Sequence, residues 1–257
     1  YSNEIGTFTA PIAGGEIVEV YDSRNRFVGR GYYNVKAQIT VRLLTRDINE
    51  QIDEAFFKTR IESCLQYRHK LGYTENFRLA FGESDFLPGL IIDKFGDYFV
   101  LQTLSLGMDK WKEVIAKVLM ERFSPKGIYE RNDVPVRKLE GLPEQKHFLS
   151  DPFATKFQLE EQGVKIWVDV EAGQKTGFFL DQKENRQALK HIAMGAEVLD
   201  CFCYTGAFAL FAAKFGASSV LGLDVSETAV AQATENASLN DFGKCCTFQA
   251  ANAFDML

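Results

Sequence analysis

The sequence is poor in cysteine and histidine, has no excess of basic residues and contains no long apolar run. Its five cysteines are few for 257 residues and odd in number. That excludes a small disulfide scaffold and indicates free thiols in a reducing, cytoplasmic setting. The three histidines lie far apart and the cysteines lack paired ligand spacing, so no metal site is predicted. The apolar runs stop well short of the ~20 residues that cross a membrane, and the first residues lack the features of a signal peptide.

The net charge of −6, from 35 acidic and 29 basic side chains, argues by itself against a protein coated in nucleic acid. The charge is unevenly distributed, however. Residues 1–46 carry six basic and four acidic side chains, whereas residues 176–257 carry five basic and nine acidic ones. A slightly basic N-terminal segment therefore precedes an acidic C-terminal one, and the net charge does not exclude a nucleic-acid partner.

The residue pattern changes three times along the chain and predicts four segments. Residues 1–46 hold short alternating strands with Gly-rich turns, which predicts a small, N-terminally incomplete β-barrel. Residues 47–75 have helical periodicity and predict a connecting helix. Residues 76–172 predict an α+β domain of strands and one amphipathic helix. Residues 173–257 alternate strands with helices as βαβαβ, which predicts a parallel, Rossmann-like α/β sheet.

The strongest chemical signal lies where the predicted parallel strands end in polar residues. Asp200 ends the first of these strands, and the tight loop after it closes with Gly206 and opens a helix. Asp224 ends the second strand, where a carboxylate can accept both hydroxyls of a ribose. Asn252 follows the third strand and can meet an adenine edge. Ligands bind beyond the carboxyl ends of such strands, although the two aspartates could also do no more than cap their strands.

Three kinds of nucleotide-binding loop compete for this region. A dinucleotide loop needs G-x-G-x-x-G, but residues 201–206 read C-F-C-Y-T-G, so a pyrophosphate could not approach the backbone. A P-loop needs G-x-x-x-x-G-K-[ST], and the Lys-Thr pair at 175–176 lacks both glycines. S-adenosylmethionine carries no phosphate and needs carboxylates and backbone amides instead. The residues therefore favour S-adenosylmethionine as the cofactor.

Several motifs resemble a known family. The segments D-C-F-C-Y-T-G at 200–206 and K-T-G-F-F-L-D-Q-K-E-N-R at 175–186 are similar to the PUA-domain-containing class I methyltransferases, which include the large-subunit rRNA cytosine-5 methyltransferases. Residues 29–34 resemble the PUA barrel of that family, and residues 82–90 and 129–137 resemble its central domain. The resemblance covers essentially the whole chain and implies an S-adenosylmethionine-dependent methyltransferase that acts on large-subunit rRNA.

The resemblance also implies roles for individual residues. The residues that would line the methionine and ribose of the cofactor are Asp200, Phe202, Tyr204, Thr205 and Gly206. Asp224 would hold the ribose hydroxyls, and Val225 and Ser226 would flank the adenine. Asn252 stands where relatives commonly have aspartate and keeps one acceptor oxygen. The residues that would close over the cofactor or the target base are Phe179, Asp181, Gln182 and Arg186. A capped helix packed on the sheet is the alternative for these four.

The PUA-like barrel implies an RNA partner that is held by shape and phosphate contacts. The candidate contact residues are Arg24, Arg26, Arg30 and Lys36. Two other functions stay open, namely methylation of another nucleobase atom such as guanine N2, and RNA binding by a protein whose methyltransferase domain is vestigial. No membrane partner is expected, and a homodimer is left open.

Methylation of cytosine carbon 5 in this family uses a cysteine thiolate that adds to carbon 6. The family places that cysteine after the fourth strand of the sheet, and only three strands precede the end of this sequence. Cys201 and Cys203 lie in the cofactor loop and would face the cofactor, not the base. We therefore expect no catalytic residue within the sequence, a nucleophile beyond Leu257, and a truncated sheet that is inactive alone.

Overall fold

Alternating apolar residues around Gly-rich turns give residues 17–45 an antiparallel sheet in which the second strand is central. The computed structural model describes residues 2–256. It divides them into two units: unit 1 runs to Ala154 and includes Gln174–Thr176, and unit 2 comprises Thr155–Gly173 and the chain from Gly177 onward.

Unit 1 contains two sheets and four α-helices among its described residues. Its strands are β1 (Ile17–Tyr21), β2 (Phe27–Tyr33), β3 (Val41–Thr45), β4 (Asn76–Phe81), β5 (Leu90–Phe95), β6 (Tyr98–Thr103), β7 (Gly127–Asn132) and β8 (Gln145–Phe148). Its helices are α1 (Glu54–Lys70), α2 (Leu106–Lys110), α3 (Lys112–Phe123) and α4 (Val136–Leu139). The sheet order is β1-β2-β3 in the first sheet and β4-β5-β6-β7-β8 in the second. The first sheet is three-stranded, so the barrel stays a prediction.

A close backbone approach explains one glycine of the first sheet. The register of β2 against β3 shifts between Arg30 and Gly31, and a Cβ atom on Gly31 would lie 1.9 Å from the Arg42 carbonyl oxygen. The next residue, Tyr32, is buried, and its hydroxyl donates to the Pro88 carbonyl at 2.7 Å. That side chain therefore packs the first sheet onto the rest of unit 1.

Helix α1 lies within the predicted helical segment 47–75 and buries one apolar face. Phe57, Ile61 and Cys64 lie in the core, packed with residues of β4–β6 and α3. The helix begins at Glu54, because the Asp53 side chain accepts the Phe56 N–H at 2.9 Å and caps the first turn.

Unit 2 contains a hairpin and a parallel sheet. Its strands are β9 (Lys156–Glu161), β10 (Val164–Asp169), β11 (Glu197–Cys201), β12 (Ser219–Asp224) and β13 (Cys246–Ala250), and its helices are α5 (Lys183–Ala188), α6 (Ala207–Lys214), α7 (Glu227–Leu239) and α8 (Ala253–Met256). Strands β11, β12 and β13 pair in parallel in that order, and α6 and α7 pack against them. The predicted βαβαβ pattern of an α/β sheet is present.

The hairpin β9–β10 belongs to a different unit from the one that the predicted domain boundary gives it. The sequence pattern assigns it to a central domain that ends at residue 172, whereas its contacts place it in unit 2, against α6 and α7. Two asparagines of α7 explain this. Asn236 accepts the Trp167 N–H at 2.8 Å, and Asn240 accepts the Lys165 N–H, also at 2.8 Å.

Candidate cofactor site

The carboxyl ends of β11, β12 and β13 meet at one edge of the sheet. Cys201 pairs with Leu223, and Asp224 pairs with Ala250, so the loops that follow the three strands begin at the same level. This edge brings together the predicted Asp200, Asp224 and Asn252, as parallel strands require.

Asp224 joins the loops that follow the three strands. Its Oδ2 accepts the Tyr204 N–H at 2.9 Å, and its Oδ1 accepts the Ser226 N–H at 2.9 Å. Its backbone carbonyl accepts the Ala251 N–H, also at 2.9 Å. Each carboxylate oxygen has a further lone pair that can accept a hydroxyl group. The residue therefore orders the loops and still offers two acceptors.

The loop after β11 has an unusual backbone. Phe202 and Tyr204 adopt positive φ angles of 61° and 49°, and Gly206 follows at 81°. A positive φ angle is energetically unfavourable for residues other than glycine, and residues with such backbone strain cluster at functional sites. At Gly206 a Cβ atom would also lie 3.0 Å from both Ala233 and Phe248. The backbone thus requires glycine at the end of the loop and holds Phe202 exposed at its start.

A buried asparagine that the sequence analysis missed supports this loop. The Asn236 side chain donates from Nδ2 to the Thr205 carbonyl at 2.9 Å, while its Oδ1 accepts the Trp167 N–H. Thr205 itself is buried. The signal in the sequence was an asparagine in the middle of a helix, where its side chain is unfavourable without a tertiary partner.

Burial raises the pKa of the Asp200 carboxyl from 3.8 to about 6. A hydrogen bond from the Ala209 N–H at 3.1 Å opposes this shift, and the nearby negative charge of Asp224 adds to it. Asp200 therefore changes charge near neutral pH, at the edge where the cofactor is predicted.

We expect Asp200→Asn to stabilise unit 2 at pH 7. A carboxyl with a raised pKa contributes stability at low pH that is lost as the pH rises from about 4 to about 6. The asparagine stays neutral and can still accept the Ala209 N–H. The difference in free energy of unfolding between the variant and the unmodified protein should grow over that pH range by on the order of 2–3 kcal/mol. Urea denaturation at a series of pH values measures it, and a difference that does not change with pH would contradict it.

The predicted closing residues separate into two groups. The Phe179 ring lies edge-to-face on Tyr204 with 5.5 Å between centroids, next to the cofactor loop. Asp181 is exposed and Gln182 half-buried in the short 3₁₀ turn that follows. Arg186, by contrast, points into the core, so the structure gives it a positioning role in place of the expected contact with the cofactor or base.

Arg186 forms a buried ion pair with a residue that the sequence analysis did not select. Its Nε and Nη2 donate to the two carboxylate oxygens of Glu161 at 2.7 and 2.8 Å. Its Nη1 donates to the Phe179 carbonyl at 2.9 Å, and the guanidinium lies 4.7 Å from the Phe178 ring centroid. Arg186 thus fixes the segment that carries Phe179.

Exposed apolar side chains border the same edge. Val225 and Phe202 are exposed, and the Phe202 ring lies 5.6 Å from the ring of Phe254, which is 78% exposed. Asn252 accepts the Phe254 N–H at 3.1 Å through Oδ1. Phe254 was not predicted, although it lies only two residues after Asn252 in the segment that follows the third strand.

Two buried cysteines of unit 2, Cys203 and Cys246, do not provide an activated thiol. Burial raises the pKa of the Cys203 thiol to about 12, with the charges of Asp200 and Asp224 adding to the shift. Burial likewise raises the pKa of the Cys246 thiol to about 12. A thiol with such a pKa is protonated at neutral pH and is a weak nucleophile. Within residues 2–256 no group of His, Cys, Asp or Glu side chains could hold a metal ion.

The four basic residues proposed for RNA differ in exposure. Arg30 is buried, and its guanidinium donates to the carbonyls of Glu50 and Ile48 and to the Glu19 carboxylate. It stabilises its own sheet and is not free to contact a phosphate. The residues that remain exposed are Arg24, Arg26 and Lys36, of which Arg26 pairs with Asp22 at 2.7 Å.

None of the helices in the described part of the chain combines the length and apolar character that crossing a membrane requires.

Two family models match the chain. Residues 1–46 match a PUA-like domain, and residues 143–254 match an S-adenosylmethionine-dependent methyltransferase. The chain is 44% identical over 237 residues to the ribosomal RNA large subunit methyltransferase I of Pseudoalteromonas atlantica, which covers 90% of this chain and 60% of that protein. It is 43% identical over 249 residues to the protein of the same name from Shewanella amazonensis, covering 95% of this chain and 63% of that protein. The chain thus spans about three fifths of the length of these relatives.

A solved structure shares the fold. It belongs to a protein assigned as a methyltransferase and was solved in complex with SAH. The TM-score is 0.80 at 22% identity, covering 95% of this chain and 63% of the other.

Proposed function

Because the chain carries a PUA-like domain and an S-adenosylmethionine-dependent methyltransferase domain, we propose that it acts in the transfer of a methyl group from S-adenosylmethionine to large-subunit rRNA. The observation that carries the proposal is Asp224, whose carboxylate joins the loops beyond β11 and β12. The names of the relatives support rRNA as the substrate.

The residues at the sheet edge fit this cofactor. S-adenosylmethionine supplies an electrophilic methyl group when it is bound. Asp224 would accept the ribose hydroxyls with the lone pairs that its backbone contacts leave, and the exposed Val225 would lie against the adenine. Asp200, Phe202, Tyr204 and Gly206 would enclose the methionine end. No glycine-lined pyrophosphate cradle is present at 201–206, which fits a cofactor without phosphate.

We propose cytosine carbon 5 as the target atom. This carbon becomes nucleophilic when a thiolate adds to carbon 6, and the later loss of the carbon-5 proton releases the thiolate. Cys203 and Cys246 are poor candidates because their thiols are buried and protonated. The proposal therefore assigns the role of the attacking thiolate to neither of them.

The proposal is tested by titrating the chain separately with S-adenosylmethionine, by calorimetry, and with an unmodified large-subunit rRNA transcript, by filter binding. We expect both to bind. RNA binding without cofactor binding would replace the proposal with a non-catalytic RNA-binding protein. Cofactor binding without RNA binding would point to a methyltransferase with another substrate. For the longer relatives, nucleotide analysis of methylated rRNA distinguishes 5-methylcytosine from a modified guanine.

The exposed basic side chains of residues 1–46 give a second test of the RNA partner. We expect the Arg24→Ala, Lys36→Ala double variant to bind the transcript more weakly, and the slope of log affinity against log salt to become shallower by about two, roughly one per lost phosphate contact. Lys244→Ala, an exposed lysine in unit 2, is the matched control. An unchanged salt slope in the double variant would remove these two residues from the RNA contact.

A further inference from the structure

Three exposed aromatic side chains of unit 1 lie around the Arg68–Asp85 ion pair. Tyr67 on α1 is 54% exposed, Phe81 at the end of β4 is 49% exposed, and Phe86 in the following turn is 68% exposed. Rings of this size are normally buried. Their exposure therefore needs a reason.

Each ring lies against an arginine. The distances from guanidinium carbon to ring centroid are 5.2 Å for Arg68 and Tyr67, 5.1 Å for Arg78 and Phe81, and 5.9 Å for Arg60 and Phe86. These separations are typical of cation–π contacts. The arginines hold the rings in place.

Asp85 links the Arg68–Tyr67 and Arg78–Phe81 pairs and directly precedes Phe86. Its carboxylate accepts both terminal nitrogens of Arg68, at 3.0 and 2.5 Å, and its Oδ2 also accepts the Phe81 N–H at 2.7 Å. Arg68 in turn donates from Nε to the Arg78 carbonyl at 2.8 Å. Phe86 directly follows Asp85 in the chain. The pairs of Tyr67 and Phe81 thus share one set of hydrogen bonds, to which Phe86 is connected only through the chain.

Phe86 is held at a conformational cost. Its φ of 58° and ψ of 28° lie in the left-handed region, which glycine adopts freely and a bulky side chain does not. Leu87, the next residue, is buried. A glycine at position 86 would remove the strain and the exposed ring together.

The surface formed by Tyr67, Phe81, Phe86 and the arginines beside them is aromatic but not strongly charged. Each of its arginines already has a carboxylate partner, and the pairs are Arg60 with Glu50 at 3.0 Å, Arg68 with Asp85 at 2.5 Å, and Arg78 with Asp93 at 2.9 Å. Attraction of phosphates is therefore weak here. Aromatic faces and guanidinium planes remain, and both stack on nucleobases.

We propose that Tyr67, Phe81 and Phe86 form a stacking surface for bases of a single-stranded segment of the RNA, an inference that rests on the proposed function. Single-stranded RNA fits because the bases of a duplex are stacked on each other and hidden from side chains. A protein partner fits less well, because polar guanidinium groups separate the rings and leave no continuous apolar patch.

The test measures binding of a fluorescent single-stranded RNA of about 12 nucleotides, and of its duplex with the complementary strand, to the full chain by anisotropy. Phe86→Gly should weaken single-strand binding about fivefold or more, the equivalent of losing one stacked base. The loss should be similar at low and high salt, and smaller for the duplex. Leu139→Ala, an exposed apolar side chain of the same unit, should bind like the unmodified chain.

A second variant at position 86 distinguishes a loss of base stacking from a loss of folded protein. Phe86→Trp should keep the affinity, and its indole fluorescence should be quenched when the RNA binds, whereas Phe86→Gly should show an unchanged or higher Tm. Unchanged single-strand affinity in Phe86→Gly, or no quenching in Phe86→Trp, would overturn the stacking surface. If Arg24→Ala, Lys36→Ala still weakens binding in that case, the RNA partner stands and only this surface is withdrawn. A chain that binds no RNA at all would overturn both.

Discussion

Asp224→Ala is expected to weaken S-adenosylmethionine binding more than about 100-fold. The variant loses two acceptors for the ribose, and hydrogen bonds to a charged group contribute about 1.5–3 kcal/mol each. It also releases the Tyr204 and Ser226 N–H groups that the carboxylate now holds at 2.9 Å. The loops on both sides of the proposed ribose site should therefore lose their order. Calorimetric titration with the cofactor measures the effect.

Two variants serve as controls for this result. Asp224→Asn keeps the size of the side chain but has one acceptor oxygen, so it can hold only one of the Tyr204 and Ser226 N–H groups and should bind the cofactor with intermediate affinity. Glu197→Gln removes an exposed carboxylate at the opposite end of β11 and should bind normally. If Asp224→Ala binds as tightly as Glu197→Gln, Asp224 does no more than cap its strand.

Glu161→Ala is expected to destabilise unit 2 by about 3–5 kcal/mol, because it leaves the guanidinium of Arg186 buried without a counter-charge. Both partners of this pair are almost completely excluded from solvent. The two tryptophans allow each unit to be followed, since Trp111 lies in unit 1 and Trp167 in unit 2. Urea denaturation in a Trp111→Phe background reports the unfolding of unit 2.

The control compares this pair with an exposed one of the same unit. Glu235 accepts from Lys156 at 3.1 Å on the surface, so Glu235→Ala should cost less than about 1 kcal/mol. The double variant Glu161→Met, Arg186→Met should recover much of the loss, because two apolar side chains need no counter-charge. Equal effects of Glu161→Ala and Glu235→Ala would show that burial does not amplify the Arg186 pair.

The sequence predicted the α/β pattern of unit 2 and the sheet edge at which Asp200, Asp224 and Asn252 meet, because both follow from local periodicity. Strands that alternate with helices pair in parallel, and their carboxyl ends then meet. Asp200, Asp224 and Asn252 could be selected for this reason alone. The start of α1 was less certain, because Asp47, Asn49 and Asp53 are all capable of capping and only the packing of the first turn chooses among them.

Contacts between distant parts of the chain account for what the sequence did not predict. Arg186 and Arg30 look like free cations in a sequence. Packing brings the buried Glu161 to Arg186, and the pairing of β1 with β2 places the exposed Glu19 beside Arg30. The hairpin β9–β10 follows the central segment in the chain, and only the side chains of α7 assign it to unit 2. No local sequence pattern indicates a hydrogen-bond partner that lies 65 or more residues away along the chain.

The position of the hairpin also bears on the order in which the protein can fold during synthesis. Translation releases β9 and β10 before α6 and α7, against which they pack, and Glu161 emerges 25 residues ahead of Arg186. An isolated two-stranded hairpin is marginally stable in water. Until the later helices have left the ribosome, the apolar face of the hairpin, with Leu159, Ile166 and Val168, stays uncovered. The speed of translation through the codons for residues 170–240 therefore sets how long the nascent chain exposes that face to chaperones or to other nascent chains.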